Sequence, residues 1–149
     1  MILLIVAGAI IFGRFLTVSR IPLELAQWVS AVAAPPVVIL GLVMFIYILA
    51  GCFMDALSFL IITIPIFFPV ITALGYDPIW FGVMIVVLLE MGAITPPVGI
   101  NVYVIKGIAK DVPLETIFKG ILPFLAMMVL CLGILILFPQ IALFLPSLR

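Results

Sequence analysis

The sequence predicts an all-α integral membrane protein, and three observations carry that class. Of its 149 residues, 68% are hydrophobic and 8% charged, where soluble domains run about 45–50% apolar and about 25% charged; mean hydropathy is +1.65. Its apolar runs, the longest over residues 35–74, have helical length, and none shows the sustained alternation of period two that barrel strands need. Inside a third run, 79–105, the stretch GAITPPVGIN at 92–101 cannot continue a helix. Pro96 and Pro97 remove two successive backbone donors and clash with carbonyls four residues back, and Pro96 pushes Thr95 out of the α region. Such a break strands carbonyls at the end of one half-helix and N–H groups at the start of the next. In hydrocarbon those groups survive only against protein, water or a ligand, so the break reads as a binding site at membrane depth.

The elements follow in order. The apolar run over 1–13, ended by Arg14, falls short of a roughly 30 Å crossing, so residues 1–16 read as the end of a spanning helix and the chain as a C-terminal piece of something larger. Residues 21–34 are expected to form a surface helix. Pro22 opens it, Glu24 suits its positive end, Leu23, Ala26 and Val29 share one face, and Trp28 anchors at the interface. Residues 35–74 hold one charge, Asp55, and no polar turn long enough to separate two crossings. Two half-length helices meeting near 51–58 fit better, as a re-entrant hairpin whose returning arm Pro65 and Pro69 break or kink. Asp55 is then either a functional carboxylate at depth or a helix cap.

Gly75-Tyr76-Asp77-Pro78 is a turn in which Asp77 can cap the broken helix over 78–106. Glu90, two residues before Gly92, is an ion or proton partner, or a carboxylate neutralised by a neighbouring helix. Val112-Pro113-Leu114-Glu115 echoes Ile21-Pro22-Leu23-Glu24, which predicts a second surface helix over 112–119. A spanning helix over 121–145 follows, ended by Pro139 and Pro146. Cys52 and Cys131 read as buried small hydrophobes. Arg14, Arg20 and Arg149 would share one membrane face and Lys106, Lys110 and Lys119 the other, and three against three leaves the orientation open.

Composition also excludes classes. With no histidine, a histidine triad or HExxH zinc site is impossible. The acids are isolated and no Ser or Cys has a base, so no enzyme is expected and no cofactor. No basic cluster points to nucleic acid, and the spans carry too few polar residues to line a channel.

Several segments are familiar together: Gly51-Cys52-Phe53-Met54-Asp55, Ile64-Pro65-Ile66-Phe67-Phe68-Pro69-Val70, Leu74-Gly75-Tyr76-Asp77-Pro78, Phe81-Gly82, Glu90-Met91-Gly92-Ala93-Ile94-Thr95-Pro96-Pro97-Val98-Gly99 and Leu122-Pro123-Phe124. In this order and spacing the chain resembles, nearly end to end, the large membrane (M) subunit of tripartite ATP-independent periplasmic (TRAP) transporters. The resemblance implies an elevator-type ion-transporter fold with two inverted repeats, of which this chain would carry only the second. It implies a sodium-coupled permease, multi-pass in a bacterial or archaeal (inner) membrane, importing organic acids. The implied partners are a periplasmic substrate-binding protein, a small membrane Q subunit and the rest of the M subunit. It also implies a hairpin entering from the periplasmic side. The alternative is a non-transporting membrane anchor or a truncated remnant.

Helix-end chemistry then assigns the site. Carbonyls near Gly92 suit a dehydrated sodium ion and N–H groups after Val98 suit a carboxylate. Gly51, Asp55, Ser58, Gly92 and Thr95 are expected around sodium, and Pro96, Pro97, Gly99 and Asn101 around the organic anion.

Overall fold

A computed structural model describes residues 2–31 and 35–147. Among these the chain is all-helical: α1 (Ile2–Ser19), α2 (Ile21–Ala31), α3 (Pro36–Phe53), α4 (Ala56–Ala73), α5 (Pro78–Ile94), α6 (Ile100–Ile108), α7 (Leu114–Leu137) and α8 (Gln140–Ser147). Three of them, α3, α4 and α7, are long and apolar enough to cross a membrane, or four spans if the pair α1–α2 counts as one. Dozens of large apolar side chains lie exposed, among them Leu3, Leu4, Val37, Phe45, Phe124 and Leu137. A water-soluble surface would not tolerate them so densely, and a bilayer does.

Proline placement explains most boundaries. Pro36 and Pro78 stand in the first turns of α3 and α5, where a missing N–H costs nothing. The Asp77 carboxylate accepts from the backbone of Ile79 (2.7 Å) and Trp80 (3.2 Å), as the sequence predicts. Between α1 and α2 the chain turns by 61° at Arg20, which has φ of 57°. Where the sequence predicts a surface helix over 21–34 the chain forms the helix α2, Ile21–Ala31; residues 32–34 lie outside the described ones. Its inward face differs from expectation: Pro22 and Ala26 are buried, and Leu23 is exposed. Pro22 and Ala26 stand at i, i+4 spacing on the buried side of α2, which packs on α4.

Three further expectations need correction. The hairpin arms are not half-length: α3 and α4 have 18 residues each, about 27 Å at the α-helical rise. Nor do Pro65 and Pro69 break α4, which runs through both. Each removes one hydrogen bond, and packing against α1 and α2 holds the helix regardless. Finally, the separate surface helix over 112–119 and the spanning helix over 121–145 are replaced by one helix, α7, of 24 residues. Gly120 and Pro123 are too weak to divide it once α5 and α6 pack along its side. It ends at Leu137, before Pro139, and Pro146 falls inside α8. Cys131 is exposed on α7, not buried.

The core lies where α3, α4, α5 and α7 meet. Tyr47 is fully buried, ringed by Phe59, Phe67 and Phe81 at centroid distances of 5.3, 5.5 and 6.2 Å. Its hydroxyl hydrogen-bonds the Thr63 hydroxyl at 2.8 Å, tying α3 to α4. The Trp80 indole N–H donates to the Leu135 carbonyl at 2.7 Å, tying the start of α5 to the end of α7. That carbonyl's helical donor would be residue 139, which is proline, so Trp80 supplies what Pro139 lacks.

Candidate functional site

The broken helix takes the form its sequence dictates. α5 ends at Ile94, Thr95 is extended (φ −85°, ψ 139°), and Gly99, at φ 58° and ψ 78°, opens α6; the Pro96–Pro97 peptide is cis. Gly99 is one of the positions where glycine is required. Its φ is left-handed, and a Cβ there would stand 3.2 Å from the Thr95 carbonyl oxygen. The Thr95 backbone N–H donates to Gly92 at 3.1 Å, and its hydroxyl donates to the Met91 carbonyl. Beyond these the two prolines leave their mark. Among the described residues, the carbonyls of Ala93, Ile94 and Thr95 accept no hydrogen bond, and the N–H groups of Val98, Gly99, Ile100 and Asn101 donate none.

The hairpin turn supplies a second such end. Met54 N–H closes α3 onto the Ala50 carbonyl at 2.8 Å, which leaves the carbonyls of Gly51, Cys52, Phe53 and Met54 without donors among the described residues. Helices α3 and α5 meet with these C-terminal ends together. Gly51 packs on Gly92 so closely that a Cβ at Gly92 would lie 2.7 Å from the Gly51 Cα. The Cys52 thiol, bonded to the Ile48 carbonyl at 3.2 Å, also points at the Pro96 carbonyl at 3.9 Å. Two negative helix ends, each about half an elementary charge, therefore converge beside one another.

Sequence reasoning placed Gly51, Gly92, Thr95 and Pro96 in one neighbourhood, and the structure brings them together. Cys52 is buried, as expected of a small hydrophobe, and its thiol also lies against the break. The other residues fall differently. Asp55 is the N-cap of α4, its Oδ2 accepting from the Ser58 backbone N–H (3.1 Å) and hydroxyl (3.0 Å). Ser58 also lines a groove with Gly8, Ala9 and Phe12 of α1. Pro97 and Asn101 are exposed and Gly99 is buried. Glu90 lines a cavity of about 160 Å³ with Ala56, Leu57 and Leu60 of α4. The cap makes a prediction. Asp55→Ala destabilises the protein by about 0.5–2 kcal/mol, while Asp55→Asn, itself a good cap, leaves stability close to wild type. Thermal unfolding of the purified protein reads both. An Asn variant that folds normally but no longer transports would move the carboxylate into the ion site.

The break also sits short of the helix beside it. From Trp80 to Thr95 the α-helical rise gives about 22 Å, and from Leu135 back to Leu114 about 31 Å. With Trp80 and Leu135 bonded, α7 extends beyond the break.

A family model described as the DctM component of the tripartite ATP-independent periplasmic transporter matches residues 1–141. The C4-dicarboxylate TRAP transporter large permease protein DctM of Pseudomonas aeruginosa is 37% identical over 147 residues, covering 99% of the chain and 34% of that protein. Its counterpart in Vibrio cholerae is 38% identical over 148 residues, covering 99% and 32%. The sialic acid TRAP transporter large permease protein SiaM of Vibrio cholerae is 34% identical over 145 residues, covering 97% and 34%. The chain thus spans about a third of the length of the curated relatives it matches.

Proposed function

Since the chain belongs to the family of TRAP transporter DctM components, which are membrane transport permeases rather than enzymes, we propose that it forms the ion- and substrate-holding part of a sodium-coupled permease. Its substrates are organic acids, in keeping with the C4-dicarboxylate and sialic acid named for its relatives. A periplasmic binding protein delivers them, a small Q subunit and the remainder of the M subunit complete the permease, and the inner membrane is its location.

One observation carries this reading: two helix C-termini meet at Gly51 and Gly92 with their last carbonyls unbonded. Oxygen ligands in a region of negative helix-end potential suit a hard monovalent cation that has shed water. The Thr95 hydroxyl keeps its lone pairs after donating to Met91. On the far side of the prolines, α6 begins at Gly99 without a side-chain cap, and its unbonded N–H groups, with the exposed Asn101 amide, suit a carboxylate. Asp55 and Ser58 support this arrangement by fixing the hairpin turn.

Transport is then a displacement of this unit. Open grooves of about 580, 430 and 490 Å³ lie beside the contact of α4 with α1 and α2, a contact that also braces α4 along its length. The ties at Tyr47–Thr63 and Trp80–Leu135 join α3 to α4 and α5 to α7.

Thr95→Val removes the hydroxyl and keeps the side-chain volume. In the complete permease reconstituted in liposomes with its partners, the variant needs several-fold more sodium for half-maximal uptake, as expected for losing one oxygen ligand worth about 1 kcal/mol. An unchanged sodium curve takes Thr95 out of the site, and uptake without any sodium dependence in the parent defeats the coupling reading.

A further inference from the structure

Building on the cation reading above, we infer that Gly51 and Gly92 are positioning residues: their contact sets the spacing of the two carbonyl ends, and through it which monovalent cation the site accepts. Neither glycine is needed for backbone freedom. Both lie inside helices, and the left-handed glycines among the described residues are Gly75 and Gly99. Glycine is a poor helix former, so its presence here calls for another reason, and the reason is space. A Cβ on Gly92 would lie 2.7 Å from the Gly51 Cα, 2.7 Å from the Ile48 carbonyl oxygen and 2.8 Å from the Gly51 carbonyl carbon. All three are backbone atoms that no side-chain rotation can move aside. A Cβ on Gly51 meets Gly92 Cα and the Leu89 carbonyl oxygen at 3.1 Å, a milder overlap. Two helices approach this closely only where both lack side chains.

The position of the contact gives it a consequence. Gly51 is the first residue of the unbonded carbonyl run over 51–54, and Gly92 immediately precedes the run over 93–95. Helices are stiff over a single turn, so any separation forced at the glycines passes directly to those oxygens. The neighbouring Cys52 thiol, within 3.9 Å of the Pro96 carbonyl, spans the same gap between turn and break. Cation choice depends on the number and spacing of the carbonyl dipoles that replace water around the ion. Widening the gap weakens the hold on a small ion and penalises a larger one less. The ion preference, not merely the activity, therefore reports the contact.

The unequal overlaps supply a graded test. Gly51→Ala and Gly92→Ala are made in the complete permease, reconstituted with its partner subunits, and uptake is measured against sodium, lithium and potassium separately. Gly51→Ala is expected to raise the half-maximal sodium concentration about threefold and Gly92→Ala about tenfold or more, each narrowing the preference for sodium over potassium, with the substrate requirement at saturating sodium unchanged. Should Gly92→Ala fail to fold, Gly51→Ala decides alone. Wild-type sodium requirement and ion preference in a folded variant would overturn the inference, as would a loss of maximal rate with both unchanged, which would mark plain packing. A parent permease indifferent to sodium would instead overturn the cation reading itself, and this inference with it.

Discussion

Replacing Trp80 by Ala lowers the stability of the complete permease by about 3–5 kcal/mol, the range for emptying a large buried aromatic site. Trp80 is 3% exposed and stacks on Tyr76 with centroids 5.5 Å apart. Trp80→Phe isolates the hydrogen bond from the volume. It leaves the Leu135 carbonyl without a donor, which costs about 1–3 kcal/mol. The origin of that penalty is testable because it depends on Pro139. Pro139→Ala offers the carbonyl a helical N–H, so the Trp80→Phe loss shrinks in that background, with a coupling of about 0.5–3 kcal/mol. Unfolding of the four purified proteins in detergent gives the cycle. Additive losses would mean that the indole N–H does not stand in for the proline. Sodium dependence of uptake stays at wild type in Trp80→Phe, since this tie lies about 22 Å along α5 from Thr95.

Tyr47→Ala is expected to cost a similar amount, about 3–5 kcal/mol, because three aromatic rings and a hydroxyl lose their common partner. Tyr47→Phe keeps the rings and removes one interhelical hydrogen bond, worth about 0.6 and at most about 1.7 kcal/mol inside a membrane. The ratio between the two variants is the informative quantity. Near-equal losses would make the Tyr47–Thr63 hydrogen bond the main fastening of α3 to α4, where the structure assigns that role to the rings. Because Thr63 also donates to the Phe59 carbonyl at 2.7 Å, its hydroxyl keeps a partner when Tyr47 loses its own. Equilibrium unfolding of both variants in the same detergent measures the ratio.

The broken helix and its two proline-flanked ends were legible from residues 92–101 alone, the hairpin turn from residues 51–58, and the Asp77 cap from residues 75–78. Each rests on chemistry carried by one or two side chains: a missing N–H, a carboxylate beside unpaired donors, a glycine able to adopt positive φ. The elevator class and its ion came from resemblance, and the match to the DctM family over residues 1–141 supports the class of permease without supplying the ion.

The length of the hairpin arms, the continuity of α4 through Pro65 and Pro69, and the fusion of residues 114–137 into one helix were decided elsewhere. In the last two cases a local breaker was outweighed by packing along a neighbouring helix, an effect spread over many residues far away in the chain. The same holds for the site. At the break, sequence identified which backbone groups lose their partners, because there the loss depends on two prolines; the unbonded carbonyls over 51–54 emerged only from the fold. Only tertiary structure brought the end of α3 beside the end of α5, because the approach depends on two glycines from distant segments facing each other at a crossing.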